Sequence, residues 1–161
     1  MEQPARKKNR LAHYDYSQNG AYFITICTEG KKCCLSRIVG AIIDRPAYAE
    51  LTRAGKIVET AILGVSKHYQ DVYVEKYVIM PNHIHLLLMI DVPYGRPLVA
   101  PTVARVIKQM KGYATKQIGE RIFQKSYHDH IIRGQSDFEM IWNYIDTNPA
   151  RWEQDCFYTE E

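Results

Sequence analysis

Cysteine, long apolar runs and the common nucleotide and hydrolase signatures are scarce or missing in this chain. Its four cysteines, Cys27, Cys33, Cys34 and Cys156, form no C-x-x-C and include an adjacent pair. That is a poor match to a zinc ribbon or a disulfide framework and a simple match to free thiols in a reducing compartment. The apolar stretch ending at Ile90 is far too short to cross a bilayer. The opening MEQPARKKNR carries charge with no apolar stretch behind it, so no secretory signal is expected and the expected location is the cytoplasm. There is no glycine-rich phosphate loop and no G-x-S-x-G, which removes support for nucleotide hydrolysis and for serine hydrolase chemistry.

What is present describes a globular chain. At 161 residues, 46% hydrophobic and 24% charged, it has the size of one domain, 1–161, with a single core. Net charge is only +3, but its sign is unevenly distributed. Arg6, Lys7, Lys8 and Arg10 make a basic N-terminal arm within residues 1–13. Arg105, Lys108, Lys111, Lys116, Arg121, Lys125 and Arg133 make a second basic region broken only by Glu120 and Asp129. The tail is opposite in sign, with seven carboxylates from Asp137 onward against the single Arg151. Basic segments of this kind suit phosphate binding, and a solvated face has the same composition. Charge alone leaves both open.

Taken in order, Asn19-Gly20 signals a turn and Tyr22 to Thr28 is expected to be a strand of β-branched and aromatic residues. Leu35 to Ile43 is a weaker strand. Asp44 and Pro46 predict the start of a helix from about Ala47 to Lys67, with Gly55 and Gly64 as weak points. Val72 to Met80 is expected to pair with the segment after Pro81-Asn82 as an antiparallel hairpin. Asp91 to Pro101, with its prolines, is a loop. Val103, Ile107, Met110, Ala114 and Ile118 then form one apolar stripe of a helix stopped by Gly119. Ser126 to Arg133 is a last strand, and Ser136 or Asp137 caps a helix from Phe138 to about Thr147, ended by Asn148-Pro149. Hairpin-linked strands mixed with helices predict an α+β architecture, a mainly antiparallel sheet sandwiched by helices.

The chain is organised around YVIMPNHIHLLLMI, Tyr77 to Ile90. In a strand, alternation puts His83 and His85 on one face with Leu87 and Met89, and Ile84, Leu86, Leu88 and Ile90 on the other. Both faces are largely apolar, so this is a central strand, and a histidine pair there needs partners or a metal. Hydrogen-bonded core histidines and a metal pair are both compatible with the spacing. His128 and His130 form a second His-x-His on a predicted strand.

The segments MPNHIHLL, KGYATKQIG and SYHDHIIR, with HYDYSQNGAYFITICT before them and IWNYIDTNPARW after, together resemble the REP-associated tyrosine transposases within the wider HUH single-strand transposases. The resemblance spans nearly the whole chain. It implies a ferredoxin-like HUH endonuclease fold, His83 and His85 as a metal pair, Tyr113 as nucleophile, and Gln117, one turn later, as a third ligand through its amide oxygen. Helix pattern alone makes Tyr113 a packing residue at the rim of its stripe. His128 and His130 are then structural or DNA-facing.

The implied activity is that of a metal-dependent single-stranded DNA endonuclease and strand transferase acting at hairpins through a 5′-phosphotyrosine. The implied cofactor is Mg²⁺ or Mn²⁺; two imidazoles favour the latter. Arg6, Lys7, Lys8, Arg10, Arg105, Lys108, Lys111, Lys116 and Arg133 are the residues expected to touch DNA. The implied setting is cytoplasmic and nucleoid-associated, as monomer or homodimer, with no membrane partner. A rolling-circle initiator or relaxase, and a domesticated binding protein that no longer cleaves, are the alternatives.

Overall fold

The computed structural model describes residues 10–93 and 101–160. Arg6, Lys7 and Lys8 of the basic arm, and most of the proline-containing loop, lie outside the described residues. The central sheet is built from β1 (Gly20–Cys27), β4 (Val72–Ile79), β5 (His83–Ile90) and β6 (His128–Ile131). Their order is β4-β5-β1-β6, with every neighbouring pair antiparallel. A separate hairpin pairs β2 (Ser36–Val39) with β3 (Tyr48–Leu51). The helices are α1 (Arg53–Leu63), the short α2 (Val65–His68), α3 (Val103–Ile118) and α4 (Gln135–Thr147). No helix among the described residues is long and apolar enough to cross a membrane.

The expected α+β sandwich is the observed one, and β5 is central as its two apolar faces require. Ile84, Leu86, Leu88 and Ile90 pack with Val58 and Ile62 of α1 and with Val103, Ile107 and Met110 of α3. On the other face Leu87 packs with Ile141 and Ile145 of α4. The pleat therefore sends His83 and His85 toward α4 and away from α3. At α3 the expected punctuation holds: Thr102 accepts a hydrogen bond from the Arg105 N–H, and Gly119 ends the helix with φ 92°.

The helix expected over Ala47–Lys67 is different. Residues 48–51 are strand β3, and helix begins only after Thr52, whose hydroxyl accepts from the Gly55 N–H. The same hydroxyl donates toward the carbonyls of Cys34 and Leu35. The cap thus ties the helix start to the segment entering β2, and Asp44 plays no such part. Gly64 separates α1 from α2. In α4, the cap position is Gly134, with φ 90°, rather than Ser136 or Asp137.

Candidate metal centre

His83 and His85 project side by side from the α4 face of β5, ring centroids 4.5 Å apart and essentially without solvent exposure. Each ring is held by its Nδ1. Thr25, opposite His85 in the register of β1 and β5, places Oγ1 2.8 Å from His85 Nδ1. Asn82 places Oδ1 2.9 Å from His83 Nδ1. The Asn82 amide nitrogen donates to the Phe157 carbonyl at 2.8 Å and reaches the Lys31 carbonyl at 3.3 Å. Its oxygen is therefore the group facing His83, so His83 Nδ1 carries the proton and Nε2 presents a bare lone pair.

Both Nε2 atoms are buried without a hydrogen-bond partner, and so is the Oδ1 of Asn148. Such atoms are rare in folded proteins because each forfeits its hydration. Asp155 Oδ2 lies 3.9 Å from His83 Nε2 and accepts from the Asn148 amide nitrogen at 2.8 Å. One ligand atom from each of His83, His85 and Asp155 falls within a 4.8 Å cluster. Burial pushes the His83 imidazole down to about 4, against raising effects first from Asp155 and then from the Asn148 side chain beside it. His85 is lowered well below the usual imidazole range by burial and by His83 beside it. Both are thus neutral at pH 7, the state a metal ligand requires. Imidazole nitrogens, a carboxylate and an amide oxygen, converging with unspent lone pairs, form a donor set that fits a divalent cation.

Tyr144 stands at the open side of this cluster, 37% exposed. Its ring is 5.2 Å from that of His85, and its hydroxyl is 3.4 Å from Asp155 Oδ2. Burial, followed by the charge of Asp155, pushes its phenol up to about 12. Phe157 lies across His83 at 4.6 Å, with Trp152 at 6.0 Å.

Of the residues expected at the site, the fold brings together His83 and His85 but not Tyr113 and Gln117. Tyr113 and Gln117 are exposed on α3, across the sheet. Tyr113 lines a groove with Val65, His68 and Tyr69 instead. The physical reason is the pleat: α3 packs on the Ile84 face, so no side chain of α3 reaches the histidine face within the chain. The sequence pattern assigns no site role to Tyr144, Asn148 or Asp155. Tyr144 and Asn148 nonetheless repeat the Tyr-x-x-x-amide spacing, on α4 instead of α3. His130 pairs with Asp137 at 2.9 Å on the exposed edge of the sheet, and His128 is exposed.

Among the expected DNA-contacting cations, Lys108, Lys111 and Lys116 line one groove with Arg10, while Arg105 and Arg133 lie exposed outside it. Lys111 reaches the carbonyls of Gln124 and Lys125. Burial, and then Arg121 nearby, lower its ammonium below the usual lysine range.

No protein-family model matches the chain. A protein of Haemophilus influenzae strain Rd, described as uncharacterised, is 30% identical over 175 residues, covering 96% of this chain and 94% of that protein. Among solved structures, a REP-associated tyrosine transposase bound to a REP hairpin superimposes with a TM-score of 0.63 at 19% identity. That match covers 88% of this chain and 73% of the transposase. A candidate transposase of Deinococcus radiodurans gives a TM-score of 0.50 at 14% identity, over 86% of this chain and 95% of the other. At these identities the two structures establish the fold, and it is the transposase fold.

Proposed function

We propose that this chain, which belongs to one family with the Haemophilus influenzae protein and shares the transposase fold, is a metal-dependent endonuclease and strand transferase for single-stranded DNA at hairpins. The observation that carries this reading is the convergence of Tyr144 with three orphaned buried atoms, His83 Nε2, His85 Nε2 and Asn148 Oδ1, and with Asp155. Three buried lone pairs gathered beside a half-exposed phenol are what a bound cation would satisfy. The hairpin bound by the transposase of the same fold supports hairpin DNA as the substrate here.

In this reading His83, His85 and Asp155, with the amide oxygen of Asn148, hold a divalent cation, Mn²⁺ or Mg²⁺. When bound, the cation polarises a phosphoryl oxygen and offsets the charge that develops there. Thr25 and Asn82 keep the two imidazoles oriented with Nε2 outward. Tyr144 is the nucleophile. Its hydroxyl, 3.4 Å from Asp155 Oδ2, gives up its proton to water as the phenolate oxygen bonds to phosphorus. The bond from phosphorus to the 3′ oxygen breaks, and that oxygen leaves as a hydroxyl after taking a proton from water. The product is a 5′-phosphotyrosine, and attack on it by another 3′ hydroxyl rejoins the strand without a nucleotide cofactor. Phe157 covers His83, so its segment has to yield for a phosphodiester to reach the pair from the Tyr144 side.

The test is a denaturing gel of the protein with a labelled DNA hairpin carrying single-stranded flanks. Wild type is expected to form a covalent adduct in Mn²⁺ or Mg²⁺ and none in chelator, and His83→Ala is expected to form none. Hairpin binding with no adduct in any metal would leave a non-cleaving DNA-binding protein as the better account.

A further inference from the structure

The β2–β3 ribbon ends in a feature that neither the core nor the candidate metal centre uses. Residues 40–46 are all exposed, and among them Ile42 and Ile43 are 66% and 93% exposed. The backbone there is closed rather than loose. Ile42 and Arg45 exchange both backbone hydrogen bonds, at 3.1 and 3.0 Å, around Ile43 and Asp44, and Asp44 takes the left-handed φ of 68°. Turns of this kind are ordinarily built from glycine, proline, asparagine, aspartate or serine. Two neighbouring isoleucines at such a tip keep most of their apolar surface in water and gain little from the fold. The root of the ribbon, by contrast, is fixed beside the candidate metal centre. The Cys34 and Leu35 N–H groups donate to the Pro81 carbonyl at 3.0 Å, and Ser36 Oγ donates to the Ile79 carbonyl at 2.8 Å. Those acceptors belong to the link that delivers His83. β3 lies against the 149–154 turn that returns Asp155 to Asn148. From Ser36 to Ile42 the chain covers up to ~20 Å when extended.

We infer that this tip is a wedge that parts stacked bases where paired DNA gives way to its unpaired flank. At ~3.4 Å per nucleotide, its reach from the root puts the parted step within about six nucleotides of the candidate metal centre. Apolar side chains, isoleucine among them, enter base steps in this way and take the place of the stacking contacts that are lost. The size of the patch favours a base step over a protein partner. A stable protein interface takes about 800 Å² from each side, whereas the tip offers two apolar side chains bounded by Gly40, Ala41, Asp44 and Arg45. Two side chains are enough to fill one opened step. The flank of the tip is thin, since a Cβ added at Gly40 would meet nothing within 4 Å, and Arg45 beside the pair is an exposed cation for a neighbouring phosphate. A wedge also has to resist being pushed back. The closed turn and the anchors of the root to residues 79 and 81 supply that stiffness.

The choice of DNA as the wedge's target rests on the function proposed above, so unstacking is read in chelator, apart from cleavage. A DNA hairpin with single-stranded flanks carries 2-aminopurine, whose fluorescence rises when it leaves the stack, at each position in turn across the foot of the stem. The proteins are wild type, Ile42→Ser/Ile43→Ser, the conservative Ile42→Leu/Ile43→Leu, and a control, Leu63→Ser, which removes a half-exposed apolar side chain from α1. All are read at concentrations that saturate the hairpin, with binding followed by anisotropy and folding by thermal melts. Wild type is expected to raise the signal at one or two adjacent positions. The serine variant is expected to bind the hairpin and lose the rise, and the leucine and control proteins to keep it. Three results would each overturn the inference: a rise that survives in the serine variant, a bound hairpin with no rise in wild type, and a wild type that sediments as a dimer while the serine variant is a monomer. The last would assign the tip to a second copy of the chain. A wild type that unstacks the hairpin but forms no adduct in Mn²⁺ would refute the nuclease reading and leave the wedge standing, and an adduct without unstacking would do the reverse. Failure to bind the hairpin at all would sink both.

Discussion

Replacing Tyr144 and Tyr113 one at a time by phenylalanine separates two tyrosines that share a local sequence pattern. The Tyr144 hydroxyl donates to Asp155 at 3.4 Å, on a ring that is 37% exposed. Losing so long and partly solvated a hydrogen bond costs at most about 0.5–1 kcal/mol, so Tyr144→Phe is expected to fold and to bind DNA. Chemically the loss is total, because phenylalanine has no oxygen to bond to phosphorus. The covalent adduct is expected to vanish, with strand cleavage falling by at least ~10⁴-fold, equivalent to about 5.4 kcal/mol of barrier. Tyr113 is 42% exposed on the far side of the sheet, and Tyr113→Phe is expected to leave adduct yield within about twofold. The assay is adduct formation on a hairpin substrate in Mn²⁺, followed by mass spectrometry of the peptide that carries the nucleotide. An adduct that survives in Tyr144→Phe and disappears in Tyr113→Phe would refute the assignment and place the nucleophile on α3, with another copy of the chain completing the site.

Thr25→Val keeps shape but removes the hydroxyl beside His85 Nδ1; Mn²⁺ affinity by calorimetry is expected to fall about 10–100-fold, and an unchanged affinity would deny that Thr25 orients a ligand. For the metal-free protein, His83 is held near 4 in the fold against ~6.5 in the unfolded chain. As pH falls from about 6.5 to 4 the unfolded state therefore takes the proton first. Urea melts in chelator should lose on the order of 3 kcal/mol across that window from His83 alone, and a flat profile would contradict the burial of a neutral imidazole. Two glycines in helices should respond in opposite directions. A Cβ on Gly55 would stand 2.0 Å from the Leu35 carbonyl oxygen, so Gly55→Ala is expected to cost about 3 kcal/mol. Gly112→Ala meets no atom and should stabilise by up to ~1 kcal/mol. Thermal melts that rank these two in the reverse order would refute the packing described at the start of α1.

What the sequence revealed of the fold follows from how local each feature is. The hairpin around Pro81-Asn82 and the stripe and caps of α3 are short-range patterns, and they fold as written. Strand β3 was hidden because Asp44 and Pro46 read as a helix start and Ala47 and Leu51 fall at a spacing that a helix would also use. What decides it is Thr52, which caps α1 while its hydroxyl is anchored to carbonyls seventeen and eighteen residues earlier. That tertiary contact leaves no mark on local propensity.

The candidate site divides in the same way. Alternation alone put His83 and His85 on one face, but the facing helix depends on which side of the sheet each helix docks. The sequence carries Tyr-x-x-x-amide twice, as Tyr113 with Gln117 and as Tyr144 with Asn148. On α3 the amide is exposed and its tyrosine sits outside the stripe that buries Ile107, Met110 and Ala114. On α4 the buried stripe is Ile141, Ile145 and then Asn148, so the helix aims an amide where its own periodicity calls for an apolar residue. An amide in that position has to be satisfied or used, and this was the one legible sign favouring α4. Asp155, seven residues further on, comes back to Asn148 only through the turn at residues 149–154. No periodicity connects it to the histidines, so only the folded chain brings the carboxylate to the cluster.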